Sequence, residues 1–198
     1  HISRGDQVHS VFMSDGVNSR PHSSEINLQK RKNASKLAND SLGITSSHFL
    51  DFPDNRMDSV SMLEIVKKIE PIIDKIKPSI VYTHHHSDLN IDHQLTNSAT
   101  MIACRPLPNS TVKEIYGFEV LSSTEWSNFQ KETFNPKYFV DITKYISKKI
   151  NALKEYKDEM RAPPHSRSIQ HVEVLAKHRG YSMGVNMAEA FEIYRIIN

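Results

Sequence analysis

The chain has 198 residues, of which 38% are hydrophobic and 24% are charged, a composition typical of one ordinary globular domain with a sizeable core. Its net charge of +2 is small, and its 25 basic residues are interleaved with 23 acidic ones, so nucleic acid is not an expected partner. The one cysteine, Cys104, excludes an internal disulfide and a cysteine-based zinc site, and it favours a cytoplasmic location. No apolar run is long enough to predict a membrane span.

The first half of the chain alternates between strand-like and helix-like patterns. A short β-rich run is followed by an amphipathic helix that stops at Gly43, and the same order then recurs twice. We predict strands over residues 8–13, 48–52 and 80–83, and helices over residues 21–42, 59–76 and 91–104. This alternation predicts an α/β fold with a doubly wound, mainly parallel sheet flanked by helices.

The second half is predicted to continue with strands over residues 114–120 and 138–142 and a helix over residues 143–160. Two consecutive prolines make residues 161–168 an irregular loop, and helices over residues 169–178 and 187–197 are predicted to finish the chain. At the other end, residues 1–8 have the pattern of a helix end, a glycine turn and a strand. We therefore expect the chain to begin within the fold, with residues missing before His1.

Residues 83–93 are the most distinctive stretch, because four of the eleven histidines and two carboxylates fall within them. They lie between a predicted buried strand and a predicted helix. Neutral imidazole is the commonest protein ligand for zinc and related metals, and a nearby carboxylate can ligate the metal or orient the imidazole. The stretch therefore indicates part of a metal site.

The histidines of this stretch differ in how well they fit such a site. The consecutive side chains of residues 84–86 cannot all face one point, so a solvated loop is the alternative for them. His93 is the better candidate, since a cap at Asp88 or Asn90 would place Asp92 and His93 in the first turn of the next helix, at the edge of the sheet. A lone histidine at that place can also be structural or an anion contact.

Five segments, in order along nearly the whole chain, resemble the bacterial branch of the LmbE-like, or PIG-L, zinc-dependent N-deacetylases: residues 52–56, 88–93, 103–106, 164–168 and 188–191. The resemblance implies a Rossmann-like α/β fold and a single LmbE-like deacetylase domain over residues 1–198 that is N-terminally incomplete. It also implies a hydrolase that removes the acetyl group from an N-acetylglucosamine-type sugar or sugar conjugate by metal-activated water. The cofactor would be Zn2+ or another divalent transition metal, and the partner would be a small amino-sugar substrate.

The same resemblance assigns roles to residues near the metal. His93 is the third metal ligand, and Asp92 is its catalytic neighbour, which orients or charges the site. Family members often have a histidine at the position of Asn90, and that histidine stabilises the oxyanion. Asn90 is therefore left as a substrate-binding residue here, and the catalytic oxyanion role passes to His165, with the histidines of residues 84–86 as the alternative.

Two further positions are predicted to bind substrate. Arg31 matches the helix arginine that contacts substrate in relatives, although on an amphipathic helix it can also be a solvated residue. Asp54 matches an acidic residue near the sugar hydroxyls. Ordinary turn chemistry also accounts for an aspartate that follows Pro53.

One departure from the family pattern is large. The His-Pro-Asp-Asp motif of the relatives, which supplies two of the three metal ligands and the general base, does not occur in this chain. Either the chain is a fragment of a longer protein, or catalysis has been lost. The alternative function is a non-catalytic sugar- or nucleotide-binding Rossmann-like module, and a homo-oligomer is compatible with either function.

Overall fold

The computed structural model describes residues 1–17, 19, 25–127 and 132–198. The chain divides into two compact units. Unit 1 consists of residues 1–54 and 141–188, and unit 2 consists of residues 55–140 and 189–198. That the 198 residues form a single deacetylase domain stays a prediction.

Unit 1 is built on two parallel strands, β1 (His9–Ser14) and β2 (Ser46–Phe52). Its helices are α1 (Glu25–Leu42), α4 (Ile146–Glu155) and α5 (Ile169–Tyr181), and α1 packs against α4. Gly43 ends α1 with a positive φ of 85°, a conformation that glycine adopts without a steric penalty. The predicted start of this helix, at residue 21, lies outside the described residues.

Unit 2 contains α2 (Met62–Ile76), β3 (Ile80–His84), α3 (Ile91–Ala103) and β4 (Glu114–Phe118). With β5 (Tyr138–Asp141) and β6 (Ala188–Ile196), β3 and β4 form a four-stranded sheet in the order β3–β4–β6–β5. Strands β3 and β4 are parallel, whereas β6 runs antiparallel to β4. Helix α2 packs against α3, and it starts with a capping box between Ser61 and Glu64.

The predicted α/β class is confirmed, since helices flank the sheets and the strands of the first half pair in parallel. The helix predicted over residues 187–197 is wrong, because this segment is strand β6. Alanine and glutamate favour helices, but Ala188, Ala190 and Glu192 are buried at every second position, which is the period of a strand. Pairing with β4 in the sheet outweighs the local preference.

Other predicted boundaries also move. Helix α2 begins at Met62 rather than near residue 59, because residues 57–59 form a 3₁₀ turn and Ser61 is the cap. The helix predicted over residues 143–160 is shorter, since α4 covers only Ile146–Glu155. Within the described ranges, no helix combines the length and the apolar character needed to cross a membrane.

Candidate functional site

The His-rich stretch forms the connection from β3 to α3. Strand β3 ends at His84, and α3 begins at Ile91. The Asn90 side chain caps the helix, because its Oδ1 accepts a hydrogen bond of 2.8 Å from the Asp92 amide. Residues 85–90 are therefore a turn at the carboxyl end of a parallel strand, the edge where ligands bind in open α/β sheets.

A buried carboxylate, Asp88, organises one side of this turn. Its side chain is 0% exposed and accepts hydrogen bonds from His93 Nδ1 at 3.0 Å, from Thr124 Oγ1 at 2.6 Å and from the Asn90 amide at 2.8 Å. The Ser123 hydroxyl is a fourth donor. Burial by itself raises the pKa of Asp88, but these four hydrogen bonds outweigh it and lower the pKa to about 2. Asp88 is therefore an anion at neutral pH.

This anion sets the state of His93, whose side chain is 21% exposed. Because Nδ1 donates to Asp88, the neutral imidazole keeps its lone pair on Nε2, and no described residue forms a hydrogen bond with that atom. Histidines that ligate a metal commonly have their other ring N–H bound to a carboxylate in this way. His93 therefore has the geometry of a metal ligand.

His84 packs on the other side of His93. The two rings stack with their centroids 4.2 Å apart and their planes inclined by 20°, and Phe118 contacts the His84 ring at 4.7 Å. Burial, followed by the electrostatic effect of the neighbouring His93, lowers the pKa of His84 to about 3. Its Nδ1 is buried and has no hydrogen-bond partner among the described residues. We call His84, Asp88, His93, Ser123 and Thr124 the Asp88 cluster.

The next two histidines turn to a different carboxylate, Glu192 on β6. His85 is only 1% exposed, and its Nδ1 lies 2.7 Å from Glu192 Oε2. His86 Nδ1 lies 4.0 Å from Glu192 Oε2. The Tyr194 hydroxyl donates a hydrogen bond of 3.0 Å to the same oxygen. We call His85, His86, Glu192 and Tyr194 the Glu192 cluster. The three histidines of residues 84–86 therefore do not all face one site, as predicted. His85 and His86 do approach the same carboxylate, because the chain has left the strand at this point.

The charges of the Glu192 cluster follow from its contacts. Burial lowers the pKa of His85, but its hydrogen bonds to Glu192 and to the Glu132 carbonyl, together with the charge on Glu192, outweigh burial and raise the pKa. Burial acts in the opposite direction on Glu192, whose pKa is lowered overall by the bonds from His85 and from the Asn135 amide. The two side chains therefore form a buried ion pair.

Asn90, Asp92 and His93 are brought together in the first turn of α3. The buried Asp92 carboxylate accepts hydrogen bonds from the amides of Asn55 at 2.6 Å and Met57 at 3.0 Å, so it ties the segment before α2 to α3. The side-chain Nδ2 of Asn90 donates a hydrogen bond of 3.0 Å to Asn55 Oδ1. The catalytic role of Asp92 and the substrate-binding role of Asn90 stay predictions.

The other predicted site residues lie in unit 1. Arg31 forms an ion pair of 2.9 Å with Glu159 and lies over the ring of Tyr156, 5.0 Å from its centroid. These three residues line a cavity of about 570 Å³. Asp54, at the carboxyl end of β2, accepts a hydrogen bond from the Ser19 hydroxyl. The substrate-binding roles of Arg31 and Asp54 stay predictions.

His165 lies half-buried in the proline-rich loop before α5. Its Nδ1 accepts a hydrogen bond of 3.0 Å from the Arg167 amide. The neutral ring therefore carries its proton on Nε2 and can donate from that atom. The predicted sites thus fall into two sets, with Arg31, Asp54 and His165 in unit 1 and Asn90, Asp92 and His93 in unit 2.

The sequence matches a known family over half of its length. The family model of PIG-L, described as GlcNAc-PI de-N-acetylase, matches residues 1–104. The chain belongs to the PIG-L family. The matched range includes Asp88 and His93 and excludes His165 and Glu192. This confirms the resemblance predicted from the five sequence segments.

Individual proteins agree with this membership. The uncharacterized deacetylase YaiS of Escherichia coli K12 is 29% identical over 160 residues, which cover 78% of this chain and 77% of YaiS. The solved structure of N,N'-diacetylchitobiose deacetylase from Pyrococcus horikoshii superimposes with a TM-score of 0.74 at 19% identity, covering 98% of this chain and 75% of that one. The structure of GalB, the 4-carboxy-2-hydroxymuconate hydratase of Pseudomonas putida, superimposes with a TM-score of 0.75 at 22% identity. The superposition covers 100% of this chain and 89% of GalB. At these identities, the solved structures show a shared fold that serves more than one reaction.

Two contacts of the His-rich turn were missed by sequence reasoning. The resemblance implies that Asp92 orients or charges the site, and that role stays a prediction. The structure adds a direct contact between Asp88 and His93 Nδ1. The signal for Asp88 was its spacing of five residues before His93, which a turn into a capped helix brings together. Glu192 had no signal, because it lies 107 residues beyond His85 in the sequence.

Proposed function

We propose that this chain is a metal-dependent N-deacetylase. It hydrolyses the acetamide of an N-acetylglucosamine-type sugar or sugar conjugate, using water activated by Zn2+ or another divalent transition metal. Membership of the PIG-L family supports the class of reaction. The single observation that carries the metal dependence is the hydrogen bond from His93 Nδ1 to the buried Asp88 carboxylate.

The residues around His93 suit a divalent cation. Asp88 binds the Nδ1 atom of His93, which leaves the lone pair of the neutral ring on Nε2. The stacked ring of His84 is neutral at physiological pH, so it does not repel a cation. A divalent ion bound there would polarise the amide carbonyl and lower the pKa of its water to about 7. In relatives, a His-Pro-Asp-Asp motif supplies the other ligands and the general base. These 198 residues do not contain that motif, so metal loading on His93 is the first point to test.

His165 is proposed to stabilise the oxyanion that forms on the carbonyl oxygen. The Arg167 amide donates to its Nδ1, so the neutral tautomer of His165 carries its proton on Nε2. Removing one such donor commonly costs about a hundredfold or more in rate. Asp92 is proposed to act by positioning, since its bonds to two backbone amides hold the helix turn that carries His93.

A polar substrate is supported by the cavity beside Arg31. Its volume of about 570 Å³ lies within the usual range for small-molecule sites, and charged side chains and Tyr156 line it. Arg31 and Lys30 supply donors, whereas Glu155 and Glu159 supply acceptors, a combination suited to sugar hydroxyls. We propose that Arg31 binds the sugar in this cavity. The substrate-binding roles of Asp54 and Asn90 are separate proposals that rest on the family resemblance.

The alternative function is a non-catalytic sugar-binding module. The same cavity favours it, because a cavity with donors and acceptors binds a sugar whether or not a metal is present. Binding of N-acetylglucosamine derivatives without release of acetate, by protein that carries metal, would support this alternative.

The test combines two measurements on the same preparations, which are metal content by elemental analysis and acetate release from N-acetylglucosamine derivatives. We expect His93→Ala to lose one equivalent of metal and all measurable acetate release. We expect His165→Ala to keep its metal and to lose at least about a hundredfold in turnover. His178→Ala, which removes an exposed imidazole on α5, is the matched control and should change neither measurement.

Two outcomes would contradict the roles proposed for His93 and His165. Unchanged metal stoichiometry in His93→Ala would show that His93 is not a ligand. Normal turnover in His165→Ala would remove His165 from the reaction while leaving the deacetylase assignment intact.

A further inference from the structure

The Glu192 cluster brings four donor atoms together at the carboxyl end of β3. Around Glu192 Oε2 lie His85 Nδ1 at 2.7 Å, the Tyr194 hydroxyl at 3.0 Å and His86 Nδ1 at 4.0 Å. One ligand atom from each of His85, His86 and Glu192 lies within 4.8 Å of the other two. These ligand types are ones that zinc and related divalent metals bind.

The far edges of both imidazoles are held by one residue, Glu132. His85 Nε2 lies 3.1 Å from the Glu132 carbonyl oxygen, and His86 Nε2 lies 2.9 Å from the Glu132 carboxylate. With Nε2 donating to these acceptors, each ring keeps Nδ1 on the side of Glu192. Loss of the proton between His85 and Glu192 on metal binding would make the Nδ1 lone pair of His85 available as a ligand. A ring N–H bound to a carbonyl or carboxylate on the side away from the metal is the usual arrangement behind a metal-ligating histidine.

The carboxylate is oriented in the same manner. Glu192 Oε1 accepts a hydrogen bond of 2.8 Å from the Asn135 amide, which leaves Oε2 for the cluster. Gly117 on β4 pairs with Glu192, and a side chain at Gly117 would overlap Tyr194. Glycine at this position therefore lets the tyrosine lie across β4 and reach the cluster.

We propose that the Glu192 cluster is a second metal site, in which His85 Nδ1, His86 Nδ1 and the Glu192 carboxylate bind a divalent transition metal such as Zn2+. Two histidines and one glutamate are a donor set that zinc uses with one position left open. The metal takes the place of the proton between His85 and Glu192, and that proton is released to solvent. This site goes beyond the proposed hydrolysis, since its ligands take no part in that reaction.

The observed separations suit such an ion after a small adjustment. Ligand atoms about 2.0–2.2 Å from a tetrahedral zinc lie about 3.3–3.5 Å from one another. The distances of 2.7 and 4.0 Å to Glu192 Oε2 lie on either side of this value, so shifts of less than about 1 Å would complete the site. His85 is buried, but the side chain of His86 is 38% exposed and gives the metal access from solvent.

The consequence of binding follows from where the ligands come from. His85 and His86 follow β3, Glu192 belongs to β6, and Glu132 and Asn135 lie in the segment before β5. A bound ion would tie these three parts of unit 2 together, because a ligand that binds only the folded state stabilises it by mass action. A metal bound at this site would therefore stabilise the folded state of unit 2.

The experiment is performed in the His93→Ala background, which removes the ligand of the proposed catalytic metal. Equilibrium dialysis against Zn2+ with elemental analysis should give about one zinc per chain, and Zn2+ should raise the melting temperature. Adding His86→Ala or Glu192→Gln should weaken zinc binding more than tenfold, whereas adding His178→Ala should leave it unchanged. Glu132→Gln should weaken it about tenfold, in line with the usual cost of changing a group that orients a ligand.

The outcomes separate this site from the proposed catalytic metal. Two results would overturn the second site. One is absence of zinc binding in His93→Ala. The other is a zinc affinity that does not change when His86→Ala or Glu192→Gln is added to His93→Ala. His86→Ala is the decisive variant, because its partly exposed side chain can be removed without opening the core, and circular dichroism verifies the fold. Two zinc ions in the unaltered protein, together with one zinc and no acetate release in His93→Ala, would support the two metal assignments separately.

Discussion

One turn of the chain builds two clusters of opposite character. In the Asp88 cluster, four hydrogen-bond donors surround a fully buried carboxylate, while the neighbouring His84 is neutral with a pKa lowered to about 3. In the Glu192 cluster, the fully buried histidine is the charged partner, because the pKa of His85 is raised beside the carboxylate. Residues 84 and 85 are adjacent in sequence, yet their pKa values move in opposite directions.

The difference shows what decides the charge of a buried histidine. Both rings lose water on folding, and burial alone lowers the pKa of each. For His85, hydrogen bonds from both ring nitrogens to oxygen acceptors outweigh the effect of burial and raise the pKa. The buried Nδ1 of His84 has no hydrogen-bond partner among the described residues. The acceptors around a ring therefore decide whether burial leaves the imidazole neutral, as in His84, or is outweighed, as in His85.

The largest expected effect comes from removing the charge at the centre of the Asp88 cluster. Asp88→Asn replaces an anion that accepts four hydrogen bonds and should reduce the free energy of unfolding by about 3 kcal/mol or more at neutral pH. Urea denaturation measures the loss. Asp74→Asn, on the exposed side of α2, is the control and should stay within about 0.5 kcal/mol of the wild type. A loss below about 1 kcal/mol for Asp88→Asn would mean that the cluster does not depend on this charge.

The ion pair of the Glu192 cluster is tested by a double-mutant cycle. His85→Gln, Glu192→Gln and the double variant, compared in the presence of a chelator, should give a coupling free energy of about 2 kcal/mol. The coupling arises because each single variant leaves a buried polar group without its charged partner. A coupling near zero would show that the two side chains contribute separately.

The contrast between His84 and His85 predicts opposite dependences on pH. The folded state keeps His84 neutral while the unfolded chain binds a proton near pH 6.5, so His84 lowers stability as the pH falls below 6.5 towards 3. Between pH 7 and pH 5 this loss should be about 1–2 kcal/mol and should disappear in His84→Gln. His85 contributes stability that is fully present below pH 6.5 and is lost as the pH rises through its raised pKa.

Unfolding measured by urea at several pH values, with a chelator present, separates the two contributions. The His84→Gln variant should depend less on pH than the wild type on the acid side, and His85→Gln should depend less on pH above 6.5. Parallel curves for the wild type and both variants would contradict the assigned charges.

The smallest effect is expected at the start of α3. Asn90→Ala removes the side-chain oxygen that accepts the Asp92 amide and should cost about 1 kcal/mol of stability. Asn90→Asp keeps a capping oxygen and should retain most of that stability. Equal losses in the two variants would show that Asn90 stabilises the turn through its bond to Asn55 rather than through the cap.

Much of this architecture could be predicted from local patterns. The alternation of apolar strands and amphipathic helices predicted the α/β class, and the capping residues near position 90 predicted that His93 lies in the first turn of a helix. Both depend on residues that are close in sequence, where periodicity and capping act directly. The last strand could not be predicted, because its alanines and glutamates favour a helix until pairing with β4 decides otherwise.

The sequence by itself determined the family, the fold class and the location of a His-rich turn at the end of a strand. Only the tertiary structure decided which carboxylate each histidine meets. Asp88 reaches His93 because the turn folds back on the capped helix, and Glu192 reaches His85 because β6 is placed beside β4. The state of a buried imidazole depends on atoms within a few ångströms of its two nitrogens, and for His85 one of those atoms is 107 residues away in sequence.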